Sequence, residues 1–145
     1  MRLIFLLCLC VSWCVSTNSQ VVKIPDKAKA HFQSQYKNAN DIKWSNDVTN
    51  YKCRFKEDGI AYTAHYSIDG DWSFTEKWIA ESAIPAETRN TFSKSKYRDW
   101  DKKGVAYVVN NKDEKYYRYE VKKGIKTVYV FIDKDGRVIK ENTSI

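Results

Sequence analysis

The sequence predicts an α+β protein, with one antiparallel sheet and helices packed on one of its faces. Three observations carry that expectation. Short runs of alternating apolar and polar residues recur along the chain, and such alternation marks half-buried strands. Glycine-containing pairs separate the runs, at Asp58-Gly59, Asp69-Gly70, Lys123-Gly124 and Asp135-Gly136, where glycine supplies the positive φ of a tight hairpin. Two Ile-Pro dipeptides, Ile24-Pro25 and Ile84-Pro85, each open a stretch with helical spacing.

The chain begins with a basic Met1-Arg2, an apolar run from Leu3 to Val15, and a small polar stretch from Ser16 to Gln20. That order is the pattern of a secretory signal peptide, here residues 1–19, with cleavage after Ser19. The apolar run is shorter than the roughly 20 residues of a spanning helix, so no membrane span is expected after cleavage. Leu7, Leu9 and Trp13 precede Cys8, Cys10 and Cys14, where a lipidation site wants a small residue. The expected location is therefore exported, periplasmic or extracellular. Of the 4 cysteines only Cys53 lies beyond the leader, which excludes an intramolecular disulfide in the mature chain. Cys53 alternates with Tyr51 and Phe55, which predicts a buried thiol.

The elements follow in order. Pro25 suits a first helical turn, and Ala28, Phe32 and Tyr36 then fall four apart on one helix face. Alternating runs follow at 41–46, 50–57, 60–68 and 71–79. Pro85 opens a second helix, whose stripe is only Thr88 and Phe92. Four more runs lie at about 103–110, 115–122, 125–133 and 136–141. The chain thus reads as two tandem α-β-β-β-β repeats, 24–82 and 84–142, in one domain spanning 20–145. One such unit is small enough to be marginal alone, and two joined through a common sheet share a core and bury an edge each.

Composition narrows the functional classes. Hydrophobic residues make up 43% and charged residues 30%, a soluble-globular balance that excludes global disorder. With 5 glycines and 2 prolines, collagen-like and Pro-rich chains are excluded as well. The net charge is +7, but Lys and Arg alternate with Asp and Glu, which is a solvated-surface pattern rather than a nucleic-acid footprint. The same balance favours an acidic partner through long-range attraction.

These features together resemble a family. Ile24-Pro25, Tyr66 to Gly70 with Trp72, Ile84-Pro85, and Phe131 to Gly136 with Val138 are similar to the pattern of the PepSY-like, β-lactamase-inhibitor-like exported proteins of Bacteroidota. The resemblance covers nearly all of the chain beyond the leader. It implies an open, concave sheet face and a role in binding, enzyme inhibition included, without naming the target. The second helix is more polar than the pattern wants.

Catalytic chemistry finds little footing. His31 falls in the first helix and His65 in a strand, neither within a recognised catalytic motif. Cys53 and His65 fall on opposite faces of their hairpin by alternation, too far for a nucleophile and its base. Asp133-Lys134-Asp135-Gly136 has its Gly too early for a calcium loop and lacks the closing Glu, so it reads as a turn. Asn142-Thr143-Ser144 matches the glycosylation acceptor, in a pattern short enough to arise by chance. The expectation is a non-enzymatic protein without a cofactor or metal.

Parity then selects a face. If Tyr51, Cys53, Phe55 and Tyr117, Tyr119, Val121 face the helices, their alternates face away. Pairing keeps parity between hairpin neighbours. Lys52, Arg54, Thr63, His65, Arg118, Glu120, Tyr129 and Phe131 should then share one solvent-facing surface. Aromatics and Arg on a rigid platform are common interface anchors. The expected function is capture of a protein or peptide on that face. The alternative is an envelope-associated structural or self-associating protein.

Overall fold

The computed structural model describes residues 23–47 and 49–144. The expected leader and its cleavage point lie outside the described residues. The elements run α1 (Asp26–Gln35), β1 (Asn40–Asn46), β2 (Asn50–Glu57), β3 (Ile60–Ser67), β4 (Trp72–Ile79), a short 3-10 turn (Glu81–Ala83), α2 (Ala86–Ser93), β5 (Asp101–Asn110), β6 (Lys115–Lys123), β7 (Lys126–Ile132) and β8 (Val138–Ser144). The strands form one antiparallel sheet in chain order, β1 to β8. Among the described residues no helix is long and apolar enough to cross a membrane.

Both helices lie on the same side of the sheet, over separate cores. Ile24, Ala28 and Phe32 pack on Cys53, Phe55, Ala64 and Tyr66. Ile84 and Phe92 pack on Tyr119, Val121, Val128, Val130 and Ile132. Phe92 and Tyr119 stack face to face with centroids 4.1 Å apart. Pro25 and Pro85 stand at the N-cap positions, with extended ψ angles of 138° and 147°, one residue earlier than the first-turn placement expected. There they end the incoming strand-like segment and spare the helix an unmatched N–H.

The polarity of α2 has a structural cause. Thr88 is fully buried and its hydroxyl donates to the Asp133 carbonyl at 2.7 Å, while Thr91 donates to the Gly136 carbonyl at 2.8 Å. The helix is anchored to the β7–β8 turn by these hydroxyls as well as by Phe92. Gly136, with φ of 82°, also makes room for the contact, because a Cβ there would lie 2.8 Å from Thr91 Oγ1 and 3.1 Å from the Glu87 carbonyl oxygen. Gly70 does the same for α1, since its Cβ would lie 2.9 Å from Pro25 Cβ.

The sheet is bent by bulges. Register slips by one residue between β1 and β2, β3 and β4, β5 and β6, and β7 and β8, and each slip adds local twist and bend. The β3–β4 slip also sorts two aromatics. Tyr66 pairs with Trp72 and His65 with Phe74, leaving Ser73 extra. Trp72 therefore faces α1 and stacks on His31, whereas Phe74 faces the opposite side and stacks on His65.

Candidate functional site

The sheet face away from the helices holds a groove of about 840 Å³ lined by side chains from every strand, from Asp41 and Lys43 on β1 to Lys140 and Asn142 on β8. Eight flat strands would span roughly 33 Å at about 4.8 Å each, so a single groove touched by both edge strands requires a concave sheet. The bulges supply that curvature.

All eight residues singled out by parity line this groove. Arg54 pairs with Thr63, Lys52 with His65, Arg118 with Phe131 and Glu120 with Tyr129. Their exposure differs from the expectation of one solvent-facing surface. Phe131 is only 7% exposed and packs with Ala106, Val108 and Tyr116 in a small core of its own. Tyr116 meets Phe131 edge-on at 5.5 Å, and Lys140 Nζ covers the Phe131 ring at 4.5 Å. Strand curvature closes neighbouring side chains over Phe131, so it is groove floor and not an exposed anchor. The side chains of Arg118 and His65 are likewise only 12% and 15% exposed.

The centre of the groove is a locked charge cluster. Arg118 donates through Nη2 and Nε to Glu76 Oε2, at 2.6 and 3.0 Å. His65 Nε2 lies 3.3 Å from the other oxygen, Glu76 Oε1. Burial pushes the Glu76 carboxyl upward, but the His65 hydrogen bond and the Arg118 charge outweigh it, so its pKa falls below the ordinary value. The Arg118 guanidinium lies over two rings, 4.9 Å from the Tyr129 centroid and 5.5 Å from that of Trp78, within cation–π range of both. Trp78 is 54% exposed, the large aromatic that the groove presents to solvent.

Trp78, Phe74 and Glu76 were not among the residues expected on this face. The register carries the signal for two of them. Glu76 pairs with Thr63 on one side and Val108 on the other, and Trp78 follows two residues later. Phe74 is hidden from simple parity by the bulge. Gly104 completes the seat of Trp78, since a Cβ there would lie 2.6 Å from the indole ring.

The remaining chemistry-bearing residues do not converge. Cys53 is buried on the helix side, opposite His65, and burial pushes its thiol up to about 12. His31 Nδ1 lies 3.1 Å from the Tyr66 hydroxyl under α1. Asp133 accepts the backbone N–H groups of Asp135 and Arg137 at 2.9 and 2.8 Å, as a turn does. Among the described residues no group of three or more His, Cys, Asp or Glu side chains is placed to hold a metal ion.

No family model matches the sequence, and no curated protein matches it. Solved structures do match. A DUF2874 family protein from Bacteroides uniformis is 19% identical with a TM-score of 0.69, covering 83% of this chain and 90% of that one. A BLIP-like protein from Bacteroides fragilis is 20% identical with a TM-score of 0.68, covering 86% and 89%. A candidate periplasmic protein from Bacteroides eggerthii is 21% identical with a TM-score of 0.67, covering 83% and 89%. At these identities the likeness establishes the fold, and the chain shares that fold with BLIP-like and DUF2874 proteins of Bacteroides.

Proposed function

We propose that this is an exported, non-enzymatic binding module that captures a protein or peptide segment in the concave sheet groove. One observation carries the reading: an exposed Trp78 and a Tyr129 lie within cation–π range of an Arg118 that Glu76 holds in place. Rigid aromatic and Arg anchors at the centre of a concave surface are what interfaces concentrate their energy in. The BLIP-like neighbour supports the reading at the level of fold alone. His31 is engaged with the Tyr66 hydroxyl and His65 with the Glu76 carboxylate.

Residues 1–19 are read as the signal peptide and 20–145 as one domain of two tandem repeats, 24–82 and 84–142, in the PepSY-like pattern. The element order, one helix and four strands twice over, supports the repeat, as do the matched helix contacts at Gly70 and Gly136. The periplasmic neighbour supports an exported location.

The test is comparative capture. Immobilised mature protein and its Trp78→Ala/Tyr129→Ala variant are exposed to periplasmic and secreted fractions. A stoichiometric protein retained by the first and lost by the second is the expected result. Equal retention by both contradicts the groove. Concentration-dependent self-association without capture favours the envelope-associated, self-associating alternative.

A further inference from the structure

The groove carries more positive charge than it neutralises. Six of its lining side chains are Lys or Arg against three carboxylates. The pairing is uneven. Lys52 is bound to Asp47 at 2.5 Å, Lys56 to Asp41 at 2.8 Å, and Arg118 to Glu76. Lys43, Arg54 and Lys140 are lining residues that form no salt bridge among the described residues. Lys43 and Arg54 face each other across the β1–β2 pair. Lys140 lies on the opposite wall, on β8. Between the two walls the floor is aromatic, with Phe74, Trp78, Tyr116, Tyr129 and Phe131.

We infer that the segment bound in this groove is acidic, with an apolar or aromatic side chain at its centre and carboxylates on both flanks. This rests on the groove being the binding surface. Two cations without a carboxylate partner on one wall and a third, Lys140 over the Phe131 ring, on the other leave uncompensated positive charge around an apolar floor. A partner that covers the floor must desolvate or approach those cations, and doing so without a counter-charge is costly. Carboxylates flanking an apolar anchor meet both needs at once. Single-stranded nucleic acid also combines negative charge with stacking surface, but its evenly spaced phosphates would be drawn past Glu120, which lines the same groove. A peptide can leave that position uncharged.

The test uses a phage-displayed library of constrained random loops, selected on mature protein and depleted on the Trp78→Ala/Tyr129→Ala variant. Circular dichroism and thermal melting establish that every variant is folded. The expected survivors are enriched in Asp and Glu around an apolar residue. Their affinity is expected to fall about tenfold or more in Arg54→Glu and in Lys140→Glu, the scale of like-charge juxtaposition, and to weaken with added salt. Groove-dependent loops lacking acidic enrichment, or unaffected by either charge reversal, overturn the acidic partner while leaving the groove standing. A library that yields only loops bound equally by the depleting variant overturns the groove itself, and the acidic partner with it. Oligothymidylate binding that is tighter than any loop and lost in Arg54→Glu would assign the rim to nucleic acid and overturn the proposal.

Discussion

Arg118 on β6 reaches across β5 to hold Glu76 on β4, with Nη2 2.6 Å from Oε2. On β5, Ala106 pairs with Arg118 on one side and Trp78 on the other, and Glu76 pairs with Val108, so the contact runs diagonally across the strand. The ion pair therefore ties β4 to β6, the two strands on either side of β5, and fixes the central cation of the groove in one step.

Glu76→Gln is expected to destabilise the fold by about 2–4 kcal/mol. Breaking a buried pair by removing one partner leaves an uncompensated charge, and both side chains are only 12% exposed. Glu120, 3.7 Å from Arg118 Nη1, keeps the cost toward the lower end. Urea denaturation of the two proteins at neutral pH reads the difference directly.

The same carboxylate makes stability depend on pH. Burial raises its pKa, but the His65 hydrogen bond and the Arg118 charge bring it below the ordinary 4.5. A carboxyl depressed in the folded state stabilises fully above its unfolded value, and that stability is lost as pH falls through the folded value. Melting temperature is expected to decline as pH drops below about 4.5, and to decline less steeply in Glu76→Gln. Asp133 and Glu141 are also depressed, in each case because hydrogen bonds and charges outweigh burial. The difference between wild type and variant, rather than the wild-type slope, is therefore the readout.

The four hairpin glycines are not equivalent. Each has positive φ, so an alanine at any of them costs about 1–2 kcal/mol of backbone strain. Around Gly59 and Gly124 a new methyl meets nothing within 4 Å, whereas at Gly70 and Gly136 it meets a helix. Gly70→Ala and Gly136→Ala are expected to cost clearly more than Gly59→Ala and Gly124→Ala. Chemical denaturation of the four variants side by side tests the ordering, and a uniform cost would mean the helices do not bear on those turns.

Cys53 is expected to resist thiol reagents in the folded protein and react once the chain is denatured. It is fully buried, and burial pushes its pKa up to about 12, which removes the thiolate that reacts. Cys53→Ala is expected to cost about 1 kcal/mol or somewhat more, as for loss of a small buried group. Labelling of the native protein within minutes at pH 8 would place the thiol at the surface.

Much of the sheet was legible because its hairpins keep strict parity. Cys53 pairs with Ala64 and Tyr119 with Val130, so the alternation of either strand fixes the face of both. Parity fails where a bulge intervenes. Trp72 and Phe74 are two residues apart and face opposite sides, which no pattern of alternation reveals. Burial on the groove side was also beyond the sequence, because it depends on curvature. Phe131 is buried by its neighbours Tyr116 and Lys140 and not by a helix. The weak stripe of α2 understated its packing, since Thr88 and Thr91 are held by hydroxyl bonds to a turn 45 residues away, which hydrophobic periodicity does not register. Trp78 was readable, two residues beyond the Glu76 that opposes Thr63, once the β3–β4 pairing was included.

The most direct test of the groove is calorimetric titration of the captured partner, or of the selected loop, against single substitutions on its two faces. Tyr129→Ala, Trp78→Ala and Arg54→Ala are expected to weaken binding by about 1–2 kcal/mol or more while leaving the fold intact, as interface anchors do. Ile125→Ala, at an exposed hairpin tip away from the groove, is expected to bind as wild type does. Undiminished binding by all three groove variants, with loss in Ile125→Ala or in a helix-face variant, would contradict the account and move the functional surface to the tips or helices.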